Sequence, residues 1–236
     1  MTDTERGRPG AVKPDTGRAG VIVAGGRSTR FRGVDKATAL VDGVPMIRRV
    51  AEAVAPAVDE LVVNCRRDQR EAFEAALSGL DARFAEDPIL DRGPAAGVRT
   101  GLRAADAEYA AVVPCDAPLV PSAFLAFLLD RARHRTGAVP TVGGEVRPLP
   151  AAVHVRAATA ACDDALRLFD GRLRDVVRVL EPDVVRERTV RAFADPGDFL
   201  NVDAPGDLRT AERRLRGARP ADERGDDREV LDSGNT

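Results

Sequence analysis

Long apolar runs and tryptophan are both missing from this 236-residue chain, and each absence excludes a class of function. No run approaches the ~20 residues of a membrane span, and residues 1–20 lack the apolar stretch of a signal peptide. We therefore expect a cytoplasmic location and no membrane partner. With Tyr109 as the single tyrosine, the chain also offers few platforms for stacking bases. A net charge of −2 gives no general attraction for nucleic acid, so no nucleic-acid partner is expected.

Cysteine is scarce, with Cys65, Cys115 and Cys162 widely separated. An odd, sparse set argues against a disulfide framework, and no spacing suits a zinc site. Cys65 and Cys115 end predicted strands, where we expect them to be small buried apolar residues.

Lysine is nearly absent, because the 36 basic residues include only Lys13 and Lys36. Lys13 lies in a stretch rich in proline and glycine, so Lys36 is the only lysine of the predicted folded part. Lysine offers a compact point charge where arginine offers a planar fork. We therefore expect position 36 to require an ammonium group. Codon bias that spared one lysine by chance is the alternative.

Strand-like and helix-like segments alternate between two terminal stretches rich in glycine, proline and charge. We predict a disordered leader over 1–19 and a disordered acidic tail over 217–236, with one domain over 20–216. The predicted strands of its first half are 21–24, 60–64, 82–85 and 109–114, and the helices are 45–58, 68–77, 95–105 and 121–133. Apolar strands separated by helices predict an α/β fold with a parallel sheet covered on both faces.

The pattern changes after residue 136. Predicted strands here are 138–142, 147–155 and 184–193, some of them antiparallel, and predicted helices are 157–169, 172–180 and 205–215. Because no linker-like stretch divides the halves, we expect the second half to extend the same sheet. Right-handed crossovers then bring the carboxyl ends of the parallel strands, and the loops after them, to one edge.

The loop after the first strand is rich in glycine and positive charge. Gly25 and Gly26 have no Cβ, so the backbone can approach a ligand closely and its N–H groups can cradle phosphate. Ser28 adds a hydroxyl donor, and Arg30 and Lys36 are among its cations. The dinucleotide fingerprint and the P-loop motif are both absent, which disfavours hydride transfer and P-loop ATPase chemistry.

Two further loops carry a carboxylate directly after a predicted strand. Asp87 precedes Pro88 and the Gly93-Pro94 helix start, and the alternative is that it only opens a turn. Asp116 lies between prolines after the most apolar strand, a position suited to Mg²⁺, which takes one or two carboxylates plus substrate phosphates. The alternative is that Asp116 is a turn or helix-cap residue.

The fourth loop contains Asn201 and Asp203, which are two residues apart in an extended segment and so point the same way. They could complete a metal or substrate site. Asp203 could equally cap the last helix, with Pro205 in its first turn. His134 and His154 have no neighbours that suggest a nucleophilic triad, and the arginines of 172–178 suit a solvated helical face better than an RNA site.

Together, the four loops resemble the molybdenum cofactor guanylyltransferases, or MobA-type enzymes, whose opening motif is roughly L-A-G-G-x-S-x-R-M-G-x-D-K-A. From Val23 this chain has V-A-G-G-R-S-T-R-F-R-G-V-D-K-A, with Phe31 for methionine and one residue, Arg32, more than that pattern. The motif P-C-D-x-P is present at 114–118 and N-x-[ND]-x-P-x-D at 201–207. The motif E-D followed by G-P-L-x-G is present at 86–97 with alanine for leucine, and Arg147-Pro148 resembles the start of H-P-T-x-A-L.

This resemblance implies a Rossmann-like three-layer α/β/α nucleotidyltransferase with a mostly parallel sheet. It implies transfer of GMP from GTP to the phosphate of molybdopterin, or molybdenum cofactor, with Mg²⁺ as cofactor and pyrophosphate as product. Transient contact with molybdenum cofactor insertion or acceptor proteins is also implied. The implied catalytic residues are Lys36, Arg30 and Asp116. The implied nucleotide-binding residues are Ala24, Gly25, Gly26, Ser28, Arg30, Lys36, Asn64 and Asp87. The implied metal ligands are Asp116 and Asp203, and the implied acceptor contacts are Asn201 and Arg147.

Related activities share this arrangement of loops. A molybdopterin cytidylyltransferase more often has A-A-G than A-G-G, and an adenosylcobinamide-phosphate guanylyltransferase usually has less of the D-K-A pattern. Sugar-1-phosphate nucleotidyltransferases are usually larger. A non-catalytic nucleotide-binding regulator belongs to a different class and predicts loss of the metal carboxylate or of the loop lysine, whereas Asp116 and Lys36 are both present.

Overall fold

The computed structural model describes residues 17–31, 35–89 and 92–218. Most of the predicted leader and tail, and Arg32 with Gly33, lie outside these residues. The first strand begins at Arg18 rather than at residue 21, so two residues assigned to the leader belong to the sheet. The last helix continues to Ala218, two residues into the predicted tail.

Ten strands and eight α-helices occur in the described part of the chain. The strands are β1 Arg18–Val23, β2 Leu40–Val41, β3 Val44–Pro45, β4 Glu60–Cys65, β5 Ala82–Glu86, β6 Tyr109–Pro114, β7 Gly137–Val142, β8 Glu145–Val146, β9 Ala151–His154 and β10 Asp183–Val185. The helices are α1 Met46–Val54, α2 Arg70–Ala76, α3 Pro94–Ala104, α4 Ser122–Ala132, α5 Val155–Leu168, α6 Leu173–Leu180, α7 Glu187–Val190 and α8 Pro205–Ala218.

The main sheet has the strand order β10-β7-β9-β6-β1-β4-β5, with β8 paired to β7. Strand β1 is parallel to both β4 and β6, and β4 is parallel to β5. Strand β9 is antiparallel to its neighbours β6 and β7, and β10 is again parallel to β7. The carboxyl ends of β1, β4, β5 and β6 therefore meet at one edge. This confirms the predicted α/β fold with a mostly parallel sheet.

Helices cover both faces of the sheet because its strands are apolar on both sides. In β1, Ile22 packs with the core that contains Phe73 and Phe124, whereas Val21 packs with the core that contains Leu102 and Cys162. Alternation of side chains across a strand sends neighbouring residues into different cores. The result is the three-layer arrangement that the resemblance implied.

A third, smaller cluster fastens the C-terminal helix to the loop after β1. It joins Phe31 and Met46 to Val202 and Ala211, all of them buried. The short antiparallel pair β2–β3, which the sequence analysis did not predict, contributes Val41 to this cluster. The C-terminal segment is thereby held against the loop that contains Lys36.

Two strand predictions in the second half are wrong in their extent. Strand β10 covers Asp183–Val185, so only residues 184 and 185 of the predicted strand 184–193 lie in it. The short helix α7 follows and buries Val190 in the core. The predicted strand 147–155 begins only at Ala151. Pro148 and Pro150 lack the backbone N–H that a sheet ladder needs.

No helix in the described residues is long and apolar enough to cross a bilayer.

Close packing of α3 on β1 gives a stability prediction at Gly101. A Cβ at this position would lie 2.4 Å from Cγ1 of the fully buried Val21, whose branched side chain has little freedom to move. Replacing glycine by alanine inside a helix stabilises the helix by about 1 kcal/mol. We expect the destabilisation by overpacking at position 101 to be larger than this gain. Gly101→Ala should lower the free energy of unfolding by about 1–3 kcal/mol in chemical denaturation.

Gly206→Ala is the matched control, because Gly206 also lies in a helix and a Cβ there meets no atom within 4 Å. This variant should be neutral or stabilised by up to about 1 kcal/mol. Equal effects of the two substitutions would contradict close packing of α3 on β1.

Candidate functional site

A cavity of about 320 Å³ lies at the carboxyl edge of the sheet, where the loops after β1, β4, β5 and β6 meet. Six predicted site residues line it, namely Gly25, Gly26, Lys36, Asn64, Asp87 and Asp116. Other predicted site residues are not among the lining residues, namely Ala24, Ser28, Arg30, Arg147, Asn201 and Asp203. The cavity wall also includes Arg27 and Arg92, so with Lys36 three basic side chains line it beside the two carboxylates.

Lys36 lies between two carboxylates at one side of the cavity. Its Nζ donates a hydrogen bond to Asp116 Oδ2 and lies 3.4 Å from Asp203 Oδ1. Burial lowers the pKa of Lys36, but attraction to Asp116 and the hydrogen bond with it outweigh that effect and raise the pKa above the ordinary 10.5. The ammonium group is therefore fully charged at neutral pH.

A local network fixes the backbone that carries Lys36. The Asp35 carboxylate accepts from the N–H of Ala37 at 3.0 Å and so caps the short turn Lys36–Thr38. Ser28 Oγ accepts from the N–H of Lys36 at 3.0 Å and donates to Asp35 at 3.3 Å. Ser28 thus orients the lysine loop from outside the cavity wall.

Asn64 and Asp87 form a second polar pair on the opposite side of the cavity. Asn64 is fully buried, and its Nδ2 donates to Asp87 Oδ1 at 2.8 Å. A Cβ on Gly25 would lie 2.4 Å from Asp87 Oδ2, and a Cβ on Gly97 would lie 2.7 Å from Asn64 Oδ1. Both positions therefore require glycine because the backbone approaches this pair closely.

Two oxygen atoms in the cavity wall are buried without a hydrogen-bond partner in the described part of the protein: Asn64 Oδ1 and Asp116 Oδ1. Such atoms are costly unless a ligand, ion or water satisfies them. A free carboxylate oxygen suits a hard cation, and a free amide oxygen suits an N–H or O–H donor.

The alternative structural roles of the loop carboxylates are borne out only in part: Asp116 lies in the turn that the N–H of Ala117 closes on the carbonyl of Pro114 at 3.3 Å, but no helix cap involves its carboxylate. Helix α4 begins after Pro121 without a side-chain cap, so Asp116 does not cap it. The start of α8 is closed by Asp207, which accepts from the N–H groups of Asp203 and Ala204 at 3.0 and 2.8 Å. The N–H of Asp87 donates to the carbonyl of Cys65 at 2.9 Å and extends the sheet ladder.

The remaining predicted residues lie around the cavity rather than in its wall. Ala24 is buried and pairs with the backbone of Asn64, whereas Arg30 and Asn201 are exposed. The N–H of Val202 donates to the carbonyl of Asp116 at 2.8 Å and ties the Asn201–Asp203 segment to the site. Nε of Arg147 is buried without a partner in the described residues, close to the end of β7.

The histidines have structural contacts away from this edge. His154 Nδ1 accepts from the N–H of Ala157 at 3.3 Å and caps α5, while its ring packs edge-on against Tyr109 at the amino end of β6. The backbone N–H of His134 donates to the Tyr109 hydroxyl. Neither imidazole lines the cavity. The arginines of α6 are exposed, as predicted.

All three cysteines are buried, as predicted for Cys65 and Cys115. Burial raises the pKa of the Cys65 thiol to about 11 and that of Cys162 to about 12. Burial also raises the pKa of Cys115, which lies beside Asp116. None of the thiols is therefore a thiolate nucleophile at neutral pH.

The sequence analysis missed Arg66 and Gln69, which hold the glycine-rich loop from behind. Gln69 is 3% exposed and donates to the carbonyl of Ala24 at 3.0 Å. Arg66 donates to the carbonyls of Gly25 and Gly26. A signal was available for one of them, because Gln69 is the only glutamine in the chain.

The described residues contain no group of three or more His, Cys, Asp or Glu side chains that could hold a metal alone. Mg²⁺ does not need such a cage, because it is usually held by one or two carboxylates with substrate phosphates and water. The unpartnered Oδ1 of Asp116, with Asp203 nearby, fits that requirement.

Comparison with known proteins places this site in a family. The model of the MobA-like NTP transferase domain matches residues 20–187. A probable molybdenum cofactor guanylyltransferase from Haloferax mediterranei is 53% identical over 200 residues, which cover 85% of this chain and 95% of that protein. A molybdenum cofactor guanylyltransferase from Burkholderia orbicola is 34% identical over 202 residues, covering 83% and 96%.

Solved structures agree on the fold. A nucleotidyl transferase from Methanothermobacter superposes with a TM-score of 0.68 at 25% identity and covers 85% of this chain and 99% of its own. A molybdopterin-guanine dinucleotide biosynthesis protein A from Archaeoglobus fulgidus has a TM-score of 0.65 at 22% identity, with the same coverage. The resemblance inferred from the four loops is confirmed: the chain belongs to the MobA-like NTP transferase family, with molybdenum cofactor guanylyltransferases as its relatives.

Proposed function

We propose that this chain is a molybdenum cofactor guanylyltransferase that binds GTP with Mg²⁺ in the cavity at the carboxyl edge of the sheet. The observation that carries the proposal is the meeting of Lys36, Asp116 and the Asn64–Asp87 pair around that cavity. The lysine cation suits the triphosphate, the carboxylate with a free oxygen suits a metal ion, and the polar pair suits the nucleoside. The sequence identity with proteins named molybdenum cofactor guanylyltransferases supports GTP and the molybdenum cofactor as the substrates.

The triphosphate binds on the glycine-rich side of the cavity. Gly25 and Gly26 bring backbone N–H groups close to the phosphates, and Lys36 adds a full positive charge. Arg30 is exposed on the same loop and can reach a phosphate that extends out of the cavity. Asn64 and Asp87 contact the guanine or the ribose, where the free Asn64 Oδ1 accepts a donor.

Asp116 would hold Mg²⁺ through its unpartnered oxygen, with Asp203 as a weaker second ligand. When bound, the ion neutralises charge on the phosphates and assists their alignment. Lys36 pairs with both carboxylates in the structure, so their attraction for a cation is already apparent.

The reaction needs positioning and charge neutralisation more than proton transfer. A phosphate oxygen of the acceptor attacks the α-phosphorus of GTP, a new P–O bond forms, and the bond to pyrophosphate breaks. The nucleophile is ionised near pH 7, so no general base is required. Lys36 stabilises the negative charge that develops on the phosphates.

The acceptor approaches from the side of the second half of the chain. Asn201 is exposed beside the site, and Arg147 has a buried Nε without a partner among the described residues. We assign the molybdopterin phosphate to this side. Transient contact with proteins that insert or receive the cofactor follows from the same assignment, and the cytoplasmic location stays a prediction from the sequence.

A nucleotide panel tests base selectivity. GTP with Mg²⁺ should raise the melting temperature more than CTP, ATP or UTP, because ligands that bind only the folded state stabilise it. At a concentration of about 100 times Kd the gain is about 2.7 kcal/mol, or a shift of several degrees. Selective stabilisation by CTP would show that the chain is a cytidylyltransferase. Transfer to adenosylcobinamide phosphate in preference to molybdopterin would remove the proposed acceptor.

Lys36 can be tested against its nearest substitute. Lys36→Ala should lower kcat by about 10²–10³-fold, the usual cost of removing one stabilising donor. Lys36→Arg should lower it by about tenfold or more, because a planar fork does not replace a compact ammonium group. Single-turnover transfer of labelled GMP gives the rates, and circular dichroism gives the folded fraction. Full activity in the alanine variant would remove Lys36 from the mechanism.

If Asp116 is a Mg²⁺ ligand, its removal should reduce turnover much more than it reduces the affinity for GTP. Asp116→Asn should lower Mg²⁺-dependent turnover by about 10²-fold or more, while some GTP affinity persists through Lys36 and the glycines. Asp130→Asn is the control, since this carboxylate is 64% exposed and pairs with Arg18 away from the cavity. If Asp116→Asn keeps the wild-type dependence of rate on Mg²⁺, the ion is held elsewhere.

A further inference from the structure

Gln69 is a buried amide next to the proposed nucleotide site, although it does not line the cavity. It ends the short turn Arg67–Gln69 that follows β4, and only 3% of it is exposed. Among the described residues, Asn64 and Gln69 are the two buried polar side chains. Burial of an amide is costly unless its donors and acceptor are paired, so its partners indicate what it does.

The hydrogen-bond partners of the Gln69 side chain lie in the glycine-rich loop after β1, at Asp35 before the lysine turn, and at Arg66 after β4. Nε2 donates to the carbonyl of Ala24 at 3.0 Å, lies 3.4 Å from the carbonyl of Gly26, and donates to Asp35 Oδ2. Oε1 accepts from the N–H of Arg66 at 2.7 Å. One amide therefore connects the glycine-rich loop, the lysine turn and the segment after β4.

Arg66 completes the same support. Its guanidinium group donates to the carbonyl of Gly25 at 3.2 Å and to that of Gly26, and lies 3.8 Å from Asp35 Oδ2. Together, Gln69 and Arg66 engage three successive carbonyl groups of the loop, those of Ala24, Gly25 and Gly26.

The planar trans peptide gives this contact a directional consequence. In each peptide unit the carbonyl and the following N–H point in opposite directions. Carbonyls held toward Gln69 and Arg66 therefore turn the N–H groups of Gly25, Gly26 and Arg27 the other way. These three residues line the cavity, and successive N–H groups of this kind form a concave site for anions.

The same amide also sets the position of Lys36. Gln69 holds one oxygen of Asp35, and the other oxygen accepts from the N–H of Ala37 and thereby caps the turn Lys36–Thr38. The two phosphate-binding elements, the glycine-rich loop and the lysine turn, are thus oriented from one point behind the cavity.

We propose that Gln69 is a positioning residue that orients the loop N–H groups and Lys36 toward the triphosphate of the nucleotide. It acts through the backbone and Asp35, and it makes no contact with substrate. This proposal rests on the nucleotide site proposed above and adds a residue that controls its geometry.

The test compares Gln69→Glu and Gln69→Met with the control Glu71→Gln. Gln69→Glu keeps the shape of the side chain but replaces a donor by an acceptor, and Gln69→Met keeps the volume but removes both functions. Glu71 is exposed in the first turn of α2, so Glu71→Gln makes the reverse chemical change two residues further along the chain, on a side chain that points to solvent. Each variant is assayed for kcat/KM and, by calorimetry, for the affinity of Mg·GTP and of pyrophosphate, with the folded fraction determined by circular dichroism.

We expect both Gln69 variants to lose about tenfold or more in kcat/KM and in affinity for Mg·GTP and pyrophosphate at about pH 8.5, because each variant removes a loop donor. Gln69→Glu should recover about threefold or more on lowering the pH to about 6, relative to wild type. The new carboxyl group faces the Asp35 carboxylate and the carbonyl oxygens of Ala24 and Gly26, which raise its pKa. The neighbouring Arg66 guanidinium, which would lower this pKa, is already paired with Asp68. The protonated form of the new carboxyl group can donate a hydrogen bond. Gln69→Met and Glu71→Gln should show no such recovery.

The proposal is overturned if folded Gln69→Met keeps kcat/KM and Mg·GTP affinity within about twofold of wild type. It is also overturned if the loss in folded Gln69→Glu is the same at every pH. Should Gln69→Glu fail to fold, the affinities of Gln69→Met decide. If the wild-type chain binds Mg·GTP but transfers no GMP to molybdopterin, the proposed function fails, and the nucleotide and pyrophosphate affinities still decide the role of Gln69.

Discussion

The contact of Lys36 with Asp116 and Asp203 joins parts of the chain that are 80 and 167 residues apart. The first carboxylate follows β6 next to the centre of the sheet, and the second precedes the last helix. Both can reach Lys36 only if β6 lies beside β1 and if α8 folds back on the loop after β1. The buried cluster of Phe31, Met46, Val202 and Ala211 provides that return. The site therefore depends on packing at both ends of the domain.

The cavity is supported by polar groups that the protein interior tolerates only when they are satisfied. Asn64 and Gln69 are buried in the described part, and both lie at this one edge of the sheet. Gln69 is satisfied by the loop it orients, whereas Asn64 keeps one buried oxygen without a protein partner. A buried acceptor of this kind favours a bound donor, because the ligand removes a cost that the free protein carries. The same reasoning applies to Oδ1 of Asp116.

Much of the fold was predictable from sequence because its signals are local. Apolar runs bounded by helices gave β1, β4, β5 and β6 nearly as they are, and parallel topology then required their loops to meet. The hairpin β2–β3 was missed although Asp42-Gly43 is a strong turn signal, and both residues have the positive φ angles, 50° and 76°, of such a turn. The strand predicted beyond Val185 was wrong, because this segment forms the short helix α7 and its apolar residue Val190 packs into the core from that helix.

Candidate site residues could be predicted only where a single loop contains both a recognisable motif and a side chain with a clear chemical function. Gly25, Lys36, Asp87 and Asp116 could be chosen because each follows a strand in a recognisable motif. Gln69 could not be chosen in this way, because its role depends on three carbonyls and a carboxylate brought to it by folding. Backbone acceptors leave no trace in composition, so such support is invisible to motifs. Gln69 is the only glutamine in the chain, and this rarity points to a specific role less strongly than the rarity of lysine does for Lys36.

The contacts of Lys36 in the ligand-free protein explain why lysine rather than arginine occupies position 36. The ammonium group occupies only Oδ2 of Asp116 and leaves Oδ1 unpartnered. A guanidinium group in the same place would favour both oxygens at once through its planar fork. That pairing would be harder to exchange for phosphate and metal, because two charge-assisted hydrogen bonds to Asp116 would have to break instead of one. Under the proposed function, a chain that uses arginine almost everywhere thus retains lysine where a carboxylate must be neutralised before the nucleotide binds and yet stay available to a cation.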